Sequence, residues 1–456
     1  MRPAEELLLE ALGLERSTPL RTTSAEPLGR GLVTGIQLAH EGETLHYFVD
    51  TSGVAVDQET GLVSAGPEPD GATADAGRVP GADAPARIWL HPADPHLPPL
   101  LPMAFEQSAA ALLQRFGLTL LSPPVMLVYR AGKRAVLSVE TSEHGRLFVK
   151  VLLQRRVERV HALHKQLLDA GIPVPKLLGW SRTGLLLLEA AKGTAGERVL
   201  LTRQTGEILA AIDALRDTLA SAEVPVSERA SLGTRTEWYR DRLHETSLDR
   251  RALDDATKTL ERASRDLKAA PEFARRAIHG DLHISQLFFG ASGASSTAST
   301  SSDPQGTAHS KPGPLRVTGM IDVDTVGLGD PADDDAAFIG HAFASSLLVR
   351  DAMSRSRWES LAWSALERWE PLHGVRTRAL LAIHCVAHAL GAAASGDHGK
   401  AETLIGAARH LLDRDDEGAK ERMRAFSSPA PLALTDDPHT GFGSEHLPHT
   451  TSSESE

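Results

Sequence analysis

His279-Gly280-Asp281-Leu282-His283-Ile284-Ser285-Gln286, the stretch HGDLHISQ, gathers two histidines, a carboxylate and an amide into eight residues. It follows the basic pair Arg275-Arg276 and precedes the apolar run Leu287-Phe288-Phe289. Taken alone it fits a metal site, the catalytic loop of a phosphotransferase, or a helix end with capping residues. Its surroundings discriminate. Downstream, a strand-like run over 317–321 presents Asp322, then Asp324, a Gly-rich turn and Gly329-Asp330-Pro331. Phosphoryl transfer from ATP needs a carboxylate to orient the attacking hydroxyl and hard oxygen ligands to hold magnesium against the phosphates. Asp281, Gln286 five residues on, and the strand-borne Asp322 follow the order of that machinery in kinases: base, side-chain amide, second carboxylate.

The segment before the motif supplies the other half. Residues 124–140 read as strand, turn and strand, and 145–153 as a third strand. Residues 156–171 form a helix pattern with Val157, Val160, Leu163 and Leu167 on one face. Lys150 stands alone among apolar neighbours in FVKV, where a lysine gripping the α- and β-phosphates belongs. Glu158 is the best-placed glutamate on the next helix to hold it. The turn in YRAGKRAVL carries Lys133, Arg134 and one glycine; it can cover phosphates but is no G-x-G-x-x-G.

Beyond residue 200 helical patterns dominate, at 202–222, 235–268, 334–349, 357–370, 376–394 and 399–414. QLFFG and LRVTGMIDVD are expected to pair as a hairpin across a Ser/Gly/Thr-rich excursion at 290–314. At the other end, an amphipathic helix carries Leu7, Leu8, Ala11, Leu12 and Leu14. Strand-like runs at 31–40 and 45–51, a Gly/Pro/Ala/Asp-rich loop at 66–86 and a helix at 104–117 complete a first module. The expected organisation is an N-terminal cap over 1–118, a β-rich lobe over 119–192, a helical lobe with the motif over 193–425, and a disordered tail over 426–456. The fold class is α+β.

With 48 Lys and Arg against 60 Asp and Glu the formal charge is −12. That argues against nucleic acid or an anionic membrane as partner, because both demand clustered cations. The single cysteine, Cys385, excludes an internal disulfide framework and a zinc site built on several thiolates. The first residues lack a signal-peptide pattern, and no apolar run reaches the ~20 residues that span a bilayer. The expectation is a soluble, cytoplasmic protein acting on a small molecule, its oligomeric state unreadable.

HGDLHISQ, IDVDTVGLGDPADD and FVKV together resemble the aminoglycoside phosphotransferase and choline kinase-like superfamily, a branch of the protein-kinase-like fold, over about residues 120–425. The first module, RAGKRAVL and HPADPHLPPL also look like maltokinase-related actinobacterial sugar and amino-sugar kinases. Gln286 stands where the family usually has Asn. The resemblance implies a two-lobed kinase using ATP and Mg²⁺. Asp281 would be the base, Gln286 and Asp322 magnesium ligands, and Lys150 the phosphate clamp, aided by Glu158 and Lys133. The hinge would start at Glu189, and Asp330 would be structural. His283 and Asp324 would face the acceptor, a hydroxyl of a maltose- or glucosamine-like sugar, or alternatively of an aminoglycoside or choline.

Two rivals come from other classes: a metal-dependent hydrolase using His279 and His283, and a nucleotide-binding pseudokinase. A second i, i+4 pair, His384 and His388, lacks the glutamate of a zinc-protease helix, Cys385 taking its place; the pair is read as helix packing. Asp333, Asp334 and Asp335 are read as an acidic first helix turn.

Overall fold

The computed structural model describes residues 3–56, 63–65, 86–222, 227–291 and 313–413. Residues 66–85 of the expected loop, 292–312 of the expected excursion, and the expected tail from 426 lie outside this range. The described chain forms two compact units, one from residues up to Ala162 plus Lys176–Ala190, the other from Leu163–Pro175 plus residues from Ala191 on.

In the first unit, α1 (Ala4–Leu12) buries Leu7, Leu8 and Leu9 and ends at Gly13, whose left-handed φ of 64° closes the helix without a Cβ penalty. Strands β1 (Leu20–Leu28), β2 (Gly31–His40), β3 (Glu43–Asp50), β4 (Val63–Ala65) and β5 (Ala86–Leu90) form one antiparallel sheet in the order β1-β2-β3-β5-β4. The helix expected over 104–117 is α3 (Glu106–Gln114); a short α2 (Leu100–Ala104) precedes it, parted by Phe105, whose extended backbone (φ −116°, ψ 134°) cannot continue a helix. Then β6 (Val125–Arg130), β7 (Arg134–Thr141) and β8 (Gly145–Leu152) lead into α4 (Gln154–Asp169), which runs on into the second unit. β9 (Leu177–Trp180) and β10 (Leu185–Glu189) complete a second five-stranded antiparallel sheet, order β6-β7-β8-β10-β9. Alternation in β7 and the apolar run of β8 bury Ala135, Leu137, Val139, Leu147, Val149 and Val151 on one core.

The two sheets belong to one unit, and the contacts joining them fall on the β6–β7 turn. Asp94 Oδ2 accepts from the Gly132 amide at 2.8 Å and from the Tyr129 hydroxyl at 2.9 Å. Glu26 pairs with Arg130 at 2.9 Å and with Lys133 at 2.7 Å. Burial works against the Glu26 carboxylate, but these two cations outweigh it and hold its carboxyl below the ordinary value. The first module is thus packed onto the β6–β7 hairpin, with no break in compactness at residue 118.

The second unit opens with β11 (Thr194–Ala195) and α5 (Gly196–Thr202), then α6 (Thr205–Ser221), α7 (Thr236–Leu243) and α8 (Arg250–Ala269). The single helix expected over 235–268 is interrupted where Asp249 caps α8 by accepting from the Ala252 amide. Short strands follow: β12 (Arg276–Ile278), β13 (Leu287–Ala291), β14 (Leu315–Met320) and β15 (Gly327–Gly329). β13 and β14 pair antiparallel, Leu287 opposite Met320, as the sequence expected; β12 pairs with β15. Then α9 (Pro331–Ser346), α10 (Ala352–His373), α11 (Val375–Ala394) and α12 (His398–Leu412) complete a helical body around one large core. The expectation that no apolar run reaches the length of a membrane span is corrected at α11. Its length and mean hydropathy of 1.3 do reach the requirement, yet 61% of the window is buried, as in a core helix. The class is α+β, with a β-rich N-terminal part and a helical C-terminal part.

Candidate active site

β12 ends at Ile278, and the chain turns through Gly280 at φ 84°, a conformation a Cβ would strain. Buried Leu282 and Ile284 anchor the next residues in the core of the second unit. A single 3₁₀ turn over Ile284–Gln286 then hands the chain to β13. This leaves Asp281 and His283 partly exposed while their neighbours on either side are buried.

Two side chains from distant segments hold the loop, and one of its own ties it outward. Asp334, in the first turn of α9, accepts from the backbone amides of His279 (2.9 Å) and Gly280 (2.6 Å). Arg229 donates to the Gly280 carbonyl and, at 3.0 Å, to the Thr325 carbonyl. His279, buried, reaches the Ile321 carbonyl through Nε2 at 3.1 Å. The Ile321 amide in turn donates to the Gln286 carbonyl at 3.0 Å. The loop of Asp281 and Gln286 is therefore tied to the end of β14, where Asp322 sits in a left-handed conformation, φ 58° and ψ 38°. Few non-glycine residues adopt it; Asp is among the more tolerant.

Asp281 Oδ1 lies 3.6 Å from His341 Nε2. Burial opposes ionisation of Asp281, but the hydrogen bond and charge of His341 more than compensate, and the carboxyl is held down to about 2. His283 is driven to its uncharged form: burial and then His341 lower it to about 3, so it is a neutral imidazole. Gln286 is buried, its Oε1 accepting from the His283 amide at 3.3 Å, and Asp324 is buried beside Asp322. Tyr239 is buried, and burial raises its hydroxyl against the opposing charge and hydrogen bond of Arg235, with a smaller push from Asp281, whereas neighbouring Trp238 is exposed.

Three of the carboxylates flanking Pro331 do separate jobs, which the sequence could not apportion. Asp330 caps α9 through the Ala332 amide (3.0 Å) and pairs with Arg376 Nε at 2.6 Å. Asp333 takes Ser231 Oγ at 2.9 Å. Asp335 receives Arg216, His373 and Thr377.

The expected nucleotide residues lie in the first unit. Lys150 is buried on β8, opposite Val136 of β7 and Leu186 of β10. Glu189 ends β10, with His144 Nδ1 and Lys176 Nζ each 3.6 Å from its carboxylate, and the chain passes to the second unit between Ala190 and Ala191. Glu158 is on an exposed face of α4, a position a solvated charge also takes. Lys133 has its ammonium on Glu26.

Arg229, Asp334's grip on the loop, and His341 escaped the sequence reading. Only Asp334 carried a signal, its place after Gly329-Asp330-Pro331; Arg229 and His341 are brought in by tertiary packing alone.

Residues 131–296 match the model of a family described as the phosphotransferase enzyme family. No curated protein matches the chain. Among solved structures, a thermostable mutant of aminoglycoside phosphotransferase APH(4)-Ia in ternary complex with AMP-PNP and hygromycin B is similar at 14% identity. It covers 68% of this chain and 100% of that one, with a TM-score of 0.48. A choline/ethanolamine kinase family protein from Mesorhizobium loti is similar at 14% identity over 68% of this chain and 93% of that one, TM-score 0.43. At these scores the likenesses add no argument of their own. The family match spans Gly132, Lys150, Asp281 and Gln286, stops short of Asp322, and marks this stretch as that of a phosphotransferase enzyme, an ATP-dependent class that acts on hydroxyl groups.

Proposed function

We propose that the protein transfers the γ-phosphoryl group of ATP to a hydroxyl of a sugar or amino sugar, with Asp281 as the base. The observation that carries this reading is the tie between the two loops, Ile321 N to Gln286 O and His279 Nε2 to Ile321 O, which gathers one ionised carboxylate, one amide and a second carboxylate at one end of the β13–β14 hairpin. Gln286 and Asp322 offer hard oxygen donors, which suits magnesium. When bound, that ion would neutralise charge on the nucleotide phosphates. Asp281, half exposed and ionised, accepts a hydrogen bond from the acceptor hydroxyl and takes its proton as the new O–P bond forms and the bond to the ADP oxygen breaks. Lys150 would hold the α- and β-phosphates.

Neutral His283 beside Asp281 supports a hydroxyl-rich acceptor, since an imidazole of this kind both donates and accepts. An aminoglycoside or choline acceptor is the second reading, served by the same mechanism. The experiment is ATP consumption with Mg²⁺ across sugars, amino sugars, aminoglycosides and choline, for the wild type and Asp281→Asn. Turnover with one acceptor class, lost in the variant, supports the kinase and names its acceptor. Nucleotide binding without turnover on any acceptor favours the pseudokinase, and no nucleotide binding sinks the reading.

A further inference from the structure

Helices α9 and α11 meet at a point where both present histidines. His384 and His388 are one turn apart on α11, their rings stacked with centroids 4.7 Å apart. His341 of α9 lies against both, at 5.1 Å and 4.7 Å. Gly340 allows this approach: a Cβ there would sit 3.1 Å from His384 Cγ, tighter than side chains ordinarily pack. One ligand nitrogen from each of the three rings falls within 4.8 Å of the others. Two ring nitrogens here, His384 Nδ1 and His388 Nε2, are buried without a hydrogen-bond partner among the described residues, and His384 is only 9% exposed. A buried polar atom left unpaired costs ~1–3 kcal/mol, so two in one cluster point to a missing partner.

Hydrophobic packing would not choose three imidazoles for one contact. Burial lowers His384 to about 3 and drives His388 well below the ordinary histidine value, leaving the lone pairs free of protons. Neutral imidazoles suit zinc and its neighbours in the transition series, whereas magnesium and calcium prefer oxygen.

We infer that His341, His384 and His388 form a binding site for a divalent transition ion of the zinc class, distinct from the oxygen ligands assigned to magnesium. A tetrahedral zinc with Zn–N bonds of ~2.0–2.1 Å separates its ligand nitrogens by ~3.3 Å, so modest side-chain rotations close the site. The fourth position is open to water. His341 is shared: its ligand atom also falls within 4.8 Å of ligand atoms of Asp281 and His283. An ion here therefore competes with Asp281 for His341.

The test is metal binding by the full chain, stripped with chelator and desalted, then titrated with Zn²⁺ alone against a chromophoric chelator. One equivalent is expected, and His384→Ala and His388→Ala should each weaken it more than ~100-fold, beyond what losing a supporting contact to a ligand costs. His161→Gln, a histidine of the first unit, should leave that equivalent in place. Should either helix variant misfold, Co²⁺ added to the wild type reads the same site through the visible absorption of a tetrahedral nitrogen-bound ion. Absence of a stoichiometric equivalent, its persistence in both variants, or Co²⁺ bound only in octahedral form overturns the inference. Because none of these readouts involves ATP, the site can stand or fall independently of the proposed kinase.

Discussion

The Gly280 amide donates to Asp334 Oδ1 at 2.6 Å, joining the loop of Asp281 to the first turn of α9 across 54 residues of chain. The other oxygen of Asp334 holds the His279 amide. One carboxylate thereby fixes two successive peptide units just before the proposed base. Asp334→Ala leaves two buried amides unpaired, at ~1–3 kcal/mol each. The expected result is a melting temperature lower by about 5–10 °C and ATP turnover down by ~100-fold or more, since small displacements of a catalytic group are costly. Unchanged turnover in a folded variant would remove Asp334 from the positioning of Asp281.

Gly280→Ala tests the same loop from the other side. The residue stands at φ 84°, and an added Cβ would fall 2.5 Å from the Arg229 guanidinium. Either the loop or Arg229 must shift, and Arg229 also holds Thr325, next to Asp324. Turnover should fall by ~100-fold or more. Arg229→Ala, which opens the space but loses both carbonyl contacts, should not restore it in the double variant. Recovery there would mean that the clash alone mattered.

How far the site was legible depends on sequence distance. The proposed base, amide and strand carboxylate lie at the ends of one hairpin, whose apolar strands and flanking turns announce themselves, so the candidates Asp281, Gln286 and Asp322 stand out together in the sequence. Lys150 was readable as a cation out of place in an apolar strand. β1 was missed because its middle residues, Arg21–Ala25, are exposed in succession and show no alternation. Asp94 was noticed only as part of a proline-rich run, because its partners Tyr129 and Gly132 are 35 and 38 residues away. His384 and His388 were visible as a pair, but their meaning changed once α9 delivered His341.

The turn at Gly132 gives a prediction within the first unit. Asp94 is buried, and burial raises its carboxyl above the ordinary value even though the Gly132 and His96 amides and the Tyr129 hydroxyl bind it. Asp94→Ala strips these groups of their acceptor and should loosen the β6–β7 hairpin, the stretch proposed to cover the phosphates. A rise in KM for ATP larger than the change in kcat is expected, with destabilisation of on the order of 2–4 kcal/mol. A kcat effect alone would separate this turn from nucleotide binding.

If the transition-ion site and the kinase both hold, they are coupled through His341. Zn²⁺ added at about one equivalent in excess Mg²⁺ should slow ATP turnover in the wild type, and a chelator selective for zinc should reverse it. His388→Ala should blunt this inhibition, because the ion then no longer draws His341 away from Asp281, 3.6 Å distant. Equal inhibition in wild type and variant would place the zinc effect elsewhere, for example on the nucleotide.

Asp333 predicts the pH dependence of stability. Burial first, then the neighbouring Asp330, push its carboxyl up to about 7, against the opposing hydrogen bonds from Ser231 and Leu232. Among the described residues its buried Oδ2 has no hydrogen-bond donor, which withholds stabilisation from the ionised form. The folded state therefore holds a proton that the unfolded chain releases near pH 4. Stability from this group is fully present below the unfolded value and is lost as pH rises towards about 7, because the folded state binds more protons over that window. At ~1.4 kcal/mol per unit the loss is on the order of a few kcal/mol. Asp333→Asn mimics the protonated form and cannot titrate. The stability of the variant relative to wild type, measured by denaturant unfolding from pH 4 to 8, should rise across that window and level off above about 7. A difference that stays flat would mean Asp333 is ionised in the folded protein throughout.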